Sequence, residues 1–230
     1  MITYASRDGG CTTFPESIAE SLDGFRGWVR SPDRPDEGRW TYYRGKVLFD
    51  MAAEKVNAHA GVKSKITSVL DRWVSERSLG VVYADGVWYT DDDADLSNEP
   101  DGSFLTWGSL KTERVRLIES SEGDGDGIEY RGGPDWALEV VSNTSVVKDT
   151  QWLPEAYFAA GVREYWLVDA RGDAIEFTLY RRDESITDAF TIVPPDDDGR
   201  RRSDLFGVDV KLTRRRDPIG GWQYNLEIRD

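Results

Sequence analysis

Apolar residues recur along this chain in two periods, and the switches between them outline its elements. From Pro15 to Val29, Ile18, Leu22, Phe25, Trp28 and Val29 follow the spacing of an amphipathic helix. Tyr42–Asp50 reads as two strand pieces joined at Arg44-Gly45. The clearest helical pattern covers about Ala58–Ser78. Val62, Ile66, Val69, Leu70, Trp73 and Val74 share its apolar face, with Lys63, Lys65, Asp71 and Arg72 largely off it. Asp85-Gly86 separates Val81-Val82-Tyr83 from Val87-Trp88-Tyr89, so Gly80–Thr90 is predicted to be a β-hairpin. The acidic run Asp91–Asp95 reads as a solvated loop, about Ser103–Trp107 as a strand, and the Gly- and acid-rich Glu119–Gly133 as an insertion or flexible loop.

The second half is more densely apolar. Trp136–Val141 is nearly continuous, which suits a buried strand. Pro154–Ala160 suits a short helix, with Pro154 at its first position and Gly161 as a left-handed stop. Glu164–Val168 is another buried strand. Ile175–Tyr180 is predicted to pair with it across Asp169–Gly172, and Ala189–Val193 to extend the sheet. Strand, helix, strand in that order implies a mixed α/β sheet with a parallel crossover at its centre.

Composition narrows the class. A chain of 230 residues fits one domain with insertions better than two. No apolar run approaches the ~18 residues of a membrane span, and no secretory signal opens the sequence, so the expected address is the cytoplasm with no membrane partner. Cys11 and His59 stand alone in their types, too few for a zinc site of about four N/S ligands or for Cys–His nucleophilic chemistry. Asp and Glu total 43 against 29 Lys and Arg, a net charge of −14 that argues against a general nucleic-acid binder. Arg200–Arg202 and Arg214–Arg216 remain as local basic patches. Of the Trp residues, Trp73, Trp136 and Trp166 lie in core patterns and read as packing groups.

One charge stands out inside the apolar pattern. Asp135, Ala137 and Glu139 share one face of their strand, so Glu139 is a carboxylate in the middle of a buried element and requires a compensating partner. If the strand after Pro100 brings Asp101 alongside, two carboxylates converge, and a hard divalent cation such as Mg²⁺ or Mn²⁺ satisfies both. The plainer alternative is a strand cap at Asp101 and a salt bridge from Glu139 to Arg131 or Lys148. Asp135 reads as a turn or cap residue and Asp149 as a group bonding the turn before its helix. Glu122–Gly127 resembles the start of a calcium loop but has Gly133 at the twelfth position, so it reads as a plain turn.

Asp101, Pro134-Asp-Trp-Ala-Leu-Glu139-Val-Val-Ser142, Lys148-Asp149 and Tyr157-Phe-Ala-Ala-Gly-Val-Arg-Glu-Tyr-Trp-Leu-Val-Asp169 together resemble the Uma-type restriction endonuclease family of the PD-(D/E)XK nuclease superfamily. Tyr43–Met51 and the His59 helix extend the match to most of Phe14–Leu212. The resemblance implies a restriction-endonuclease-like α/β core, its mixed central sheet flanked by helices. Residues 14–212 would form a single domain, with 1–13 a tail and 213–230 a C-terminal extension. It implies Mg²⁺ (or Mn²⁺) bound by Asp101, Glu139 and the Val140 carbonyl, with DNA as substrate. Catalytic residues would be Asp101, Glu139 and Lys148, with His59 and Asp149 as accessories. The superfamily lysine two residues past the second acid is Val141 here, and the alternative lysine position on the following helix is Leu153, which leaves Lys148 as the nearest substitute. A metal-dependent endodeoxyribonuclease is the leading reading. Its rival is an inactive nuclease-fold module that binds nucleic acid or a protein partner, and a homodimer is left open.

Overall fold

The computed structural model describes residues 2–5, 11–35, 38–50, 55–119, 127–183, 185–186 and 188–230. Two six-stranded sheets dominate, and the described strands alternate between them five times along the chain. The central sheet has the order β14 (Thr191–Ile192), β13 (Glu176–Arg181), β12 (Glu164–Asp169), β11 (Trp136–Val140), β8 (Gly102–Thr106), β5 (Gly80–Tyr83). Only the β11–β12 pair is parallel, the crossover that the sequence order implies, and helix α5 (Leu153–Ala159) lies on that crossover. Gly161 takes φ +79, the left-handed stop expected after it.

Alternation along β11 sorts its side chains into two cores. Trp136, Leu138 and Val140 face helix α3 (Gly61–Glu76) and the C-terminal sheet of β15 (Arg201–Ser203), β16 (Val208–Arg216) and β17 (Trp222–Arg229). Ala137 and, beyond the strand end, Val141 face α5 with Leu153, Tyr157 and Tyr165. Trp136 and Trp166 are fully buried and meet edge to face, and Trp73 packs on the same core, the packing roles expected of them. No helix among the described residues is long and apolar enough to cross a membrane.

The second sheet runs β4 (Lys46–Asp50), β3 (Arg39–Tyr43), β7 (Leu96–Asn98), β6 (Trp88–Asp91), β10 (Gly127–Arg131), β9 (Arg116–Glu119). The N-terminal pair β1 (Ile2–Ala5) and β2 (Cys11–Phe14) forms its own small antiparallel ladder. The helical pattern of 15–29 is split into α1 (Ser17–Glu20) and α2 (Leu22–Val29) by Ser21, which turns extended and accepts the Gly24 N–H on its Oγ at 3.1 Å. Their apolar face, with Ile18, Leu22 and Phe25, packs on Trp40 and Tyr42 of β3.

Three sequence expectations are corrected. The strands flanking Asp85-Gly86 exist but do not pair: β5 joins β8, whereas β6 joins β7 and β10. Both turn residues have positive φ, 77° and 74°, as a hairpin turn requires. Their polar groups, however, are claimed from elsewhere. Arg39 (2.7 Å) and Lys63 (2.5 Å) bond the Asp85 carboxylate, and Glu99 Oε1 accepts the Gly86 N–H at 3.1 Å. The turn therefore ties the two sheets together. The actual hairpin is β6–β7, and the acidic run forms its turn, where Ala94 is fully buried and its N–H donates to Asp91 Oδ1 at 2.8 Å. Within Glu119–Gly133, residues 127–131 are not a loop but a strand parallel to β6. Residues 120–126, most of the calcium-loop-like stretch, lie outside the described residues.

The C-terminal sheet is fastened to the central one by a buried carboxylate. Glu164 on β12 accepts from Ser203 Oγ (2.7 Å), the Leu205 N–H (2.9 Å) and Trp166 Nε1 (3.1 Å). Replacing it by Ala leaves those donors buried without an acceptor, at about 1–3 kcal/mol for each group left unsatisfied. Glu164→Ala is expected to lose roughly 3 kcal/mol or more of unfolding free energy in urea titration. A loss within experimental scatter would show that the two sheets are held by their apolar contact alone.

Candidate functional site

The chain passes from β7 of one sheet to β8 of the other through Glu99-Pro100-Asp101, which sets Asp101 at the seam. The β8–β11 register pairs Leu138 with Gly102, so the next step along the same ladder brings position 101 opposite 139. Helix α3 approaches β8 closely because residue 102 is Gly: a Cβ there would lie 2.9 Å from the Thr67 methyl. That approach carries Lys63 of α3, and His59 on the single π-turn before it (Val56–Ala60), against Asp101.

Asp101 is almost wholly buried and fully engaged. Its Oδ2 accepts the Val140 N–H at 2.8 Å and lies 3.3 Å from His59 Nε2. Its Oδ1 accepts from Arg39 and lies 3.6 Å from Lys63 Nζ. Burial pushes the carboxyl up, but His59, Arg39 and Lys63 together hold it well below the usual carboxylate range, so it stays ionised.

Glu139 has a different environment. Its Oε1 accepts from Tyr157 OH (2.6 Å) and Asn98 Nδ2 (3.1 Å), and its Oε2 from Lys148 Nζ (3.1 Å). Burial raises its carboxyl to about 7, with Asp149 and Asp101 adding to the rise against the pull of Lys148. Lys148 opens a second π-turn, Lys148–Trp152, directly before α5. Its Nζ lies between Glu139 and Asp149, 2.9 Å from Asp149 Oδ1. Burial opposes its charge, yet Asp149, Glu139 and Asp101 outweigh that and keep it protonated far above the ordinary lysine value. Burial also raises Asp149, whose other oxygen accepts from Ser145 Oγ in the preceding turn, as expected of it.

These groups line one cavity of about 310 Å³ that includes His59, Asp101, Glu139, Val140 and Lys148, with Arg39, Lys55 and Arg171 also on its wall. Asp149 stands behind Lys148. Asp135 is elsewhere: its carboxylate accepts from the Thr106 N–H, Ser109 Oγ and Arg114, the turn-fastening role read from sequence. Arg131 pairs with Asp92 and leaves Glu139 to Lys148.

Four groups went unread in the sequence. Lys63 stands one helical turn from His59, a spacing that does place both on one face. Arg39, Asn98 and Tyr157 carry no such signal, since only the pairing of β3 with β7 and the crossover through α5 bring them in.

A family model described as "Putative restriction endonuclease" matches residues 27–213, most of the chain and all of the cavity. The chain belongs to the Uma2 family. The structure of the Uma2 chain is similar to a crystal structure titled a putative nuclease belonging to DUF820 from Anabaena variabilis ATCC 29413. The TM-score is 0.58 at 20% identity, covering 81% of this chain and 90% of that one. That likeness establishes the shared α/β nuclease-type fold. No curated protein matches the Uma2 chain.

The donor set suits a hard divalent ion. Asp101 and Glu139 are buried oxygen donors on one cavity wall beside Val140, and burial raises the Glu139 carboxyl even with Lys148 beside it. Among the described residues, no group of three or more His, Cys, Asp or Glu side chains is disposed to hold a metal. Two carboxylates and a carbonyl, completed by water and substrate oxygens, are the ligands Mg²⁺ takes.

The charge balance gives a test. Without Lys148, Glu139 and Asp149 lose their shared cation, and their folded pKa values climb further above the unfolded ones. Such a rise costs nothing below the unfolded values, near pH 4, and grows as pH increases. Lys148→Met is therefore expected to cost about 3–5 kcal/mol at pH 8 and markedly less at pH 5 in urea unfolding. A cost that does not vary with pH would mean that Lys148 does not balance these carboxylates.

Proposed function

We propose that this Uma2 protein is a Mg²⁺-dependent nuclease that hydrolyses phosphodiester bonds in DNA, with Mn²⁺ as a substitute ion. Asp101, Glu139 and the Val140 carbonyl would hold the ion, within one catalytic domain spanning 14–212. The observation that carries this reading is the position of Lys148, whose Nζ lies 3.1 Å from Glu139 Oε2. An ammonium thus stands beside the second acid although Val141 and Leu153, where the superfamily pattern has its lysine, are apolar.

The ion, when bound, polarises the scissile phosphate and lowers the pKa of water. The chain's own groups do the rest. Arg39, Lys63 and His59 keep Asp101 ionised and fixed. Tyr157 and Asn98 hold Glu139 Oε1, which fixes the plane of that carboxylate. Lys148, held protonated, cannot serve as a base. It donates a hydrogen bond from Nζ, which orients the attacking water and offsets charge that develops on the phosphate. Asp149 positions Lys148, and Arg171 and Lys55 on the wall offset the charge of the entering phosphodiester.

Purified protein is expected to nick plasmid DNA with Mg²⁺ or Mn²⁺ and to lose that activity in Asp101→Asn. Lys148→Ala is expected to slow nicking about 10²–10⁴-fold while the ion still binds. Millimolar Mg²⁺ should raise the melting temperature of the wild type more than that of Glu139→Gln, since the carboxylate is the ligand. Tight Mn²⁺ binding by a wild type that cleaves no DNA would instead establish the inactive binding module, the reading that the net charge of −14 favours.

A further inference from the structure

Most arginines in the described structure that reach the surface are matched to a carboxylate, as Arg44 is to Glu155, Arg72 to Glu76, Arg131 to Asp92 and Arg229 to Asp209, while Arg34, Arg116, Arg163, Arg182 and Arg201 are not. The tract Arg214–Arg216 on β16 sets three unmatched arginines in a row. Arg214 donates to the carbonyls of Ala170 (2.9 Å) and Gly172 (2.5 Å), Arg215 to the side-chain oxygen of Gln223 (2.9 Å), and Arg216 to the Gly220 carbonyl (2.8 Å). Arg214 and Arg216 also stack on the Trp222 ring, at 4.1 and 3.7 Å from its centre. Neutral acceptors and a ring orient these cations without neutralising them. Among the described residues none of the three has an ion-pair partner, and the adjacent Asp217 turns its Oδ1 to the N–H groups of Ile219 and Gly221.

The tract also lies beside the cavity. The turn whose carbonyls bind Arg214 contains Arg171, which lines the catalytic cavity. Strand β17 packs along α3 and touches the π-turn that carries His59. Lys65 of α3, with no ion-pair partner among the described residues, lines a shallow depression with Arg214 and Arg215.

We infer that the β16–β17 hairpin, through Arg214, Arg215, Arg216 and Lys65, is the surface that grips the phosphate backbone of a nucleic-acid duplex next to the cavity. The inference rests on the nuclease reading above and adds to it the place where the substrate is held. Three adjacent, unneutralised and pre-oriented guanidinium groups suit the approach of a polyanion, and phosphate contacts of this kind supply affinity without sequence preference. The hairpin tip exposes Ile219, so an anionic membrane surface is the competing partner. A single exposed isoleucine falls far short of the apolar face that interfacial binding needs, and the hairpin's continuity with the cavity favours the duplex.

The test measures binding apart from cleavage. Full-length protein in EDTA is titrated into a labelled duplex of about 30 base pairs, followed by anisotropy, between about 50 and 200 mM salt. The triple variant Lys65→Gln, Arg215→Gln, Arg216→Gln should bind at least tenfold more weakly, with a log K against log salt slope shallower by about 2 to 3. The double variant Arg215→Lys, Arg216→Lys should keep the wild-type slope. With Mg²⁺, the triple variant should hydrolyse bis(p-nitrophenyl) phosphate at the wild-type rate while its KM for DNA rises. An unchanged slope in the triple variant overturns the inference. So does a lysine variant as weak as the glutamine one, or phosphatidylserine vesicles bound more tightly than the duplex and lost in the triple variant. A wild type that shows the predicted salt slope but cleaves neither substrate upholds the inference and sinks the catalytic reading.

Discussion

Three buried carboxylates, Asp101, Glu139 and Asp149, sit within one small volume, and the cost of keeping charge there explains much of what surrounds them. Each approaches from a different element: the seam between two sheets, the C-terminal end of β11, and the π-turn before α5. Cations are recruited in the same piecemeal way, Arg39 from β3, His59 and Lys63 from the start of α3, and Lys148 from that π-turn. The result is asymmetric. Asp101 is fully compensated and ionised, whereas Glu139 shares its one cation with Asp149 and is left with a carboxyl near 7. That residual imbalance is what a divalent ion would resolve in the proposed site.

The central sheet was legible because its strands declare themselves locally. A nearly continuous apolar run at 136–141, a Pro-to-Gly bounded helix and another mostly apolar run at 164–168 admit few arrangements beyond a parallel crossover. Glu139 was legible for the same reason, as a charge set in apolar surroundings. The second sheet was not. Its β7 is three residues long, its β10 is embedded in glycine and acid, and its pairing depends on partners far apart in the chain. Asp85-Gly86 shows how a local signal misleads. The backbone takes the dihedrals that its residues favour, yet Arg39 and Lys63 draw the Asp85 carboxylate toward the seam and the flanking strands go to different sheets. Side-chain partners assembled by tertiary structure outweighed turn propensity there.

Net charge is a coarse guide to local potential. A total of −14 describes the whole surface, but phosphate responds to what lies within about a Debye length. Most described arginines spend their charge on neighbouring carboxylates, and three consecutive exceptions, Arg214–Arg216, stand on one hairpin. An average over the chain conceals that distribution, while the repeated Arg214–Arg216 in the sequence hints at it.

The departures at Val141 and Leu153 acquire a common physical reason once the α5 core is visible. Both side chains are buried in the same apolar cluster, together with Ala137, Ala156, Tyr157 and Tyr165. Val141 also borders the cavity, whereas Leu153 does not, and a lysine at Leu153 would place its stem inside that apolar cluster. The π-turn at Lys148–Trp152 widens the chain ahead of α5, and Asp149, anchored by Ser145, offers the ammonium a second carboxylate. The side chains at 141 and 153 are thus apolar and packed against α5, and the charge beside Glu139 enters from the π-turn instead. What a charge offers at this site depends on where it stands in space, and Lys148 stands between Glu139 and Asp149 whatever its place in the sequence pattern.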